Sequence, residues 1–161
     1  MLKNIYCILL FAISSISFGQ TKEETSNWLT TKLNQHSSIV GSSEENYFFI
    51  KNGNIFKKSH LGGNERMNFT TIFGLPIKYI TEITVSINPD SYTFNLYCGK
   101  NCISKSIDNI VGEIEQDTPK NLGLEINKKD ITLIKRIPKA LLFLVKSYGG
   151  NAKLIIDKEP F

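Results

Sequence analysis

Hydrophobic and polar positions follow different rhythms along this chain. An apolar run opens it, a helical repeat follows, a period of two dominates the middle, and a second helical repeat lies near the end. In the first helical repeat, Trp28, Leu29 and Leu33 form an apolar stripe among Lys22, Asn27 and Gln35, the pattern of a helix with one buried face. Thr21 and Glu24 stand just ahead at the spacing of a capping box. Glu23 and Glu24 also suit the positive end of the helix dipole. A helix is therefore expected from Lys22 to His36, ending at Ser37-Ser38, with His36 as a dipole partner and Trp28 as a core anchor.

The middle reads as strands. Tyr47-Phe-Phe-Ile-Lys51 and Asn54-Ile-Phe-Lys-Lys58 flank Asn52-Gly53, the dipeptide of a type I′ hairpin turn, which needs positive φ at both positions. A loop follows around His60 to Arg66. Its Gly62-Gly63 pair is not a phosphate loop, because no Gly-Lys-Ser/Thr follows. A third strand is expected from Met67 to Phe73, broken by Gly74-Leu-Pro76, and a fourth from Tyr79 to Ile87. After the turn at Asn88-Pro89-Asp90, Ser91 to Tyr97 alternates with Tyr92, Phe94 and Leu96 on one face, and Cys98 falls on that face too. Cys102 to Ile107 is the sixth strand and Leu122 to Ile126 the seventh, separated by an acidic connector from Asp108 to Asn121. Asp108, Glu113, Glu115 and Asp117 lack the residue order of a calcium loop.

The last helix is expected near Lys135 to Tyr148, with Ile137, Leu141, Leu144, Val145 and Tyr148 on one face and Gly149-Gly150 as its stop. Pro138 fits its first turn; alternatively it kinks a longer helix beginning near Asp130. Ala152 to Asp157 can add a short strand.

The opening run changes how the rest is read. Lys3, the apolar stretch Ile5 to Ile13 and the small residues through Ser17-Phe-Gly19 have the layout of a secretory signal peptide over residues 1–19. A span needs about 20 apolar residues, and Ser14, Ser15 and Ser17 interrupt this run. The expected mature chain is one globular domain over 20–161, exported to the periplasm or outside a bacterial cell, with no transmembrane segment. Its net charge is the whole chain's +4 less Lys3, or +3. The lysines are scattered, with no basic stripe interleaved with aromatics, which argues against nucleic acid as a partner.

Export leaves two cysteines, Cys98 and Cys102, because Cys7 departs with the leader. Cysteine pairs in oxidising compartments tend to close. Gly99-Lys100-Asn101 is expected to be a three-residue hairpin loop, which sets the pair opposite each other at about 4.5 Å between Cα atoms. That lies within the disulfide window of about 4.4–6.8 Å. A metal site needs about two more ligands, and His36 and His60 stand at no recognisable spacing, so no metal or cofactor is expected.

Seven strand segments between Tyr47 and Ile126, followed by the helix over Ala140 to Tyr148, resemble a pleckstrin-homology-like domain. That likeness implies an α+β fold: an antiparallel split barrel of about seven strands with a C-terminal amphipathic helix, here with an N-terminal helix added. The chain also resembles small uncharacterised secreted bacterial proteins that end near Gly-Gly and Pro-Phe, as at Gly149-Gly150 and Pro160-Phe161. Neither likeness brings an activity, and fold alone does not transfer one.

The function expected is a non-catalytic module that binds a protein, peptide or envelope component. A consecutive Tyr47-Phe48-Phe49 run cannot place every ring on one strand face. Tyr47, Phe49 and Phe56 therefore either face a partner or lie under the N-terminal helix. The alternatives are a small envelope hydrolase and a structural subunit of an envelope assembly. For a hydrolase, Ser59-His60 is the nearest Ser-His pair apart from His36-Ser37, but adjacent strand residues point to opposite faces, and no motif marks a catalytic residue.

Overall fold

The computed structural model describes residues 21–37, 44–61, 69–99, 102–108 and 119–156. Residues 1–20, where a leader is expected, the Gly62-Gly63 pair, Met67 and most of the acidic connector lie outside the described residues. The element order is α1 (Lys22–His36), β1 (Glu44–Lys51), β2 (Asn54–Leu61), β3 (Phe69–Pro76), a 3-10 turn (Ile77–Tyr79), β4 (Ile80–Ile87), β5 (Ser91–Cys98), β6 (Ser104–Asp108), β7 (Asn121–Asn127), α2 (Leu133–Ser147) and β8 (Lys153–Ile156). The protein is thus α+β. Its strands form two four-stranded sheets, β1-β2-β3-β6 and β7-β5-β4-β8, and no barrel closes among the described residues.

α1 forms where its cap predicts. The Thr21 hydroxyl accepts from the Glu24 N–H at 3.1 Å, and the Thr21 N–H donates to the Glu24 carboxylate at 2.9 Å, so two orphan donors of the first turn are satisfied. Leu29 and Leu33 are fully buried. Trp28 packs against the core without entering it. It is half-buried, with the Arg136 guanidinium 4.8 Å from its ring. The stripe faces the core through Thr25, Leu29 and Leu33, which leaves Trp28 at the stripe's edge.

Asn52 (φ 51°) and Gly53 (φ 73°) form the predicted turn and set the register Phe49↔Phe56 and Ile50↔Ile55. β3 runs on through Gly74, Leu75 and Pro76 instead of breaking there. Leu75 is fully buried opposite Ile55, and pairing with β2 continues to Pro76 opposite Asn54. In the second sheet, Val85, Phe94 and Leu124 form one buried row and Ile83, Leu96 and Leu122 another. β8 pairs with β4 in parallel, which no hairpin order can produce.

α2 begins at Leu133, two residues before the expected start, and places Pro138 inside the helix. The turn ahead of it is closed by Asp130, whose carboxylate accepts from the Thr132 N–H at 2.9 Å and its hydroxyl at 2.7 Å. These hydrogen bonds hold the Asp130 carboxyl below its ordinary value. At the other end, the Gly149 N–H donates to Lys146 and the Gly150 N–H to Val145, a Schellman stop. Leu133, Ile137, Leu141, Leu144 and Val145 are buried in the same cluster as the inner residues of both sheets and α1. Among the described residues, no helix is long and apolar enough to cross a membrane.

The β1 edge carries an unusual cap. The Asn34 side chain on α1 donates to the Phe48 carbonyl at 2.7 Å and accepts from the Phe48 N–H at 2.8 Å. Ser37 donates to the Asn46 carbonyl at 3.3 Å and forms a bridge to Ile126 on β7. Asn34→Ala leaves both Phe48 backbone groups without their protein partner, and a loss of about 1–3 kcal/mol is expected. Urea unfolding gives the magnitude, and faster hydrogen exchange at the Phe48 amide identifies the cause.

Candidate functional site

The outer face of the β1-β2-β3-β6 sheet collects the chemistry that faces solvent. Phe48 and Ile55 point inward and are buried. Strand alternation then turns Tyr47 and Phe49 outward on β1, and Phe56, Lys58 and His60 outward on β2. The rings of Phe49 and Phe56 stack at 4.7 Å with 14° between planes, and Tyr47 continues the row 6.1 Å from Phe49. All three predicted surface residues are therefore brought together. α1 meets β1 at its edge, through Asn34 and Ser37, and not over this row. Tyr47 is 53 % exposed.

Gly74 sets the depth of the row. It pairs with Phe56 across β2 and β3, and a Cβ there would lie 2.8 Å from both the Phe56 ring and the Ser104 hydroxyl. Only a glycine lets the ring settle onto β3. Local pattern marks Gly74 as a strand breaker; its role as a seat for Phe56 depends on the cross-strand register.

Next to the row, Tyr47, Lys58, His60 and Thr70 line a cavity of about 330 Å³. The His60 Nδ1 lies 3.2 Å from the Thr70 hydroxyl. Register places Glu45, His60, Thr70 and Asp108 in one line across β1, β2, β3 and β6. Ser59 does not join His60. Its hydroxyl donates to the Asn46 side-chain oxygen at 2.6 Å, so this serine and histidine make no nucleophile–base pair. Asp90 sits in the β4–β5 turn of the other sheet, exposed. Among the described residues, no group of three His, Cys, Asp or Glu side chains could hold a metal ion.

The cysteines correct the hairpin expectation. Cys98 and Cys102 lie at disulfide distance, with Cα atoms 6.3 Å apart, but β5 and β6 do not pair. β5 sits between β4 and β7, and β6 pairs with β3 in the other sheet. The pair therefore spans the crossover between sheets. Ile103, directly after Cys102, is buried and carries the chain into the core before β6 begins. Cys102 also lines a cavity of about 420 Å³ with Lys78, Tyr79, Thr81 and Asn151. Local alternation cannot distinguish a hairpin from a sheet change, because both need two strands and a short link.

No family model, curated protein or solved structure matches the chain.

Two outcomes follow from this geometry. Gly74→Ala is expected to cost about 1–3 kcal/mol through overpacking and to change the near-ultraviolet circular dichroism of the displaced ring. Reducing the Cys98–Cys102 pair, with a sequence separation of 4, should lower stability by about 2 kcal/mol, the loop-entropy value for so short a link. Urea unfolding with and without reductant, read against Cys98→Ser/Cys102→Ser, measures it.

Proposed function

We propose that this is an exported, non-catalytic binding module that takes a protein, peptide or envelope component on the outer face of its first sheet. The observation that carries the reading is the Tyr47–Phe49–Phe56 row, with Phe49 stacked on Phe56, both half-buried, and Tyr47 exposed at its end. Aromatic rings supply large contact area with few rotatable bonds and dominate binding energy where they occur at interfaces. Lys58, His60 and Thr70 at the end of the row provide polar groups to orient a ligand. Two sheets with a helix packed on their shared core support the pleckstrin-homology-like resemblance, although the parallel β8 and the β3–β6 pairing fall outside its hairpin order. No activity is taken from it.

A subunit of an envelope assembly is the second reading. It is favoured by β8, which among the described residues pairs with β4 alone and exposes Ile155 and Ile156; an apolar edge strand is a ready site for pairing.

The test uses the immobilised mature protein against separated envelope fractions: soluble envelope proteins, peptide digests of them, and cell-wall sacculi. Saturable retention of one component is expected, weakened at least about tenfold by Tyr47→Ala with Phe49→Ala. Retention unchanged in that variant, or none from any fraction, would refute the proposal.

A further inference from the structure

A second face of the molecule has a different chemistry. α2 carries Lys135, Arg136, Lys139 and Lys146 and no Asp or Glu. Arg136, Lys139, Phe143 and Lys146 succeed one another at spacings of three and four, so they share one side of the helix. That side faces outward: the three cations are exposed and Phe143 is 38 % exposed. α1 runs beside it and contributes Trp28. The two helices enclose a groove of about 250 Å³ lined by Trp28, Arg136, Lys139, Ala140 and Phe143.

An ordinary solvated helix face mixes both signs of charge and keeps aromatics inside. Here one sign prevails, and a phenylalanine stands between cations with an indole beside it. Three acids stand at the ends of the helix pair, Glu23 and Glu24 on α1 and Asp130 ahead of α2, where its charge attracts Arg136, and α2 itself carries none. Asp130 accepts from Thr132, and Glu24 accepts from the Thr21 N–H. Arg136 is held over Trp28 at 4.8 Å, so a cation and an aromatic ring are already presented together. Cations that meet phosphates, with Trp and Phe entering at headgroup depth, make up an interfacial surface. The apolar side of α2 is already buried in the core, so any such contact is peripheral and shallow.

We propose that the Trp28–Arg136–Lys139–Phe143 face docks the protein onto an anionic membrane surface. The contact is independent of the aromatic row on β1 and β2, which it leaves free for the other partner. Charge complementarity identifies the occupant: a helix side bearing three cations, on a helix with no acid of its own, is matched by a continuous layer of lipid phosphates.

The mature protein is mixed with vesicles of phosphatidylglycerol and phosphatidylcholine, or of phosphatidylcholine alone. Trp28 is the only tryptophan, so its emission reports on this face alone. Co-sedimentation with the anionic vesicles and a blue-shifted emission are expected. Both should vanish near 1 M salt, where the screening length is about 3 Å. Lys139→Gln and Lys146→Gln should each weaken partitioning about fivefold. Phe143→Ser should weaken it while keeping its dependence on salt. No sedimentation with anionic vesicles at low salt overturns the proposal, as does equal binding to phosphatidylcholine alone. Unchanged partitioning of the Lys139→Gln/Lys146→Gln variant overturns it too. The emission of the free variant, matched to the parent, shows that the helix pair is still folded.

Discussion

One side-chain amide determines how the two halves of this molecule meet. Asn34 offers an oxygen and an N–H at the spacing of a neighbouring strand, and the Phe48 backbone takes both. An edge strand needs such a partner or must stay wet. Because α1 supplies it, the helix lies along β1, and its buried Leu29 and Leu33 enter the space between the sheets. Ser37 then reaches β7 in the opposite sheet. The same placement keeps α1 off the outer side of β1, where Tyr47 is exposed and Phe49 half-buried.

The link between β5 and β6 is the second constraint. The strands on either side of it belong to different sheets, and Cys98 and Cys102 hold the chain where it changes. β8 completes the second sheet by returning in parallel beside β4, after α2 has crossed the core. This crossover, unlike a hairpin, lets α2 pack against the 3-10 turn and β4 while keeping its cationic side in solvent. Two chemically distinct surfaces result, one aromatic on a sheet and one cationic on the helix pair.

Much of this was legible in local pattern, because local pattern reports which face of an element is apolar. The capping box at Thr21 and Glu24, the Asn52-Gly53 turn and the alternation of Tyr92, Phe94 and Leu96 each rest on forces acting within a few residues. The extent of α2 was less clear: Pro138 suits a first turn by propensity, but Asp130 and Thr132 close an earlier turn, and burial of Leu133 rewards the longer helix. Trp28 anchors the core from its rim only, because Thr25, Leu29 and Leu33 take the buried side of α1 and α2 packs beside the ring. Arg136, whose charge meets that ring, is more than a hundred positions away and carries no local signal of the contact.

By itself, then, the sequence determined the elements, their order, the nearness of the two cysteines and the alternation that sets Tyr47 and Phe49 on one face of their strand. Tertiary structure alone decided that β6 joins β3, that β8 runs parallel to β4, that Gly74 seats Phe56, and that Trp28 opens onto a cationic groove. The physical reason is range. Periodicity and capping arise from neighbours along the chain, whereas sheet membership and surface chemistry arise from competition among distant segments for the same core and the same unpaired backbone groups.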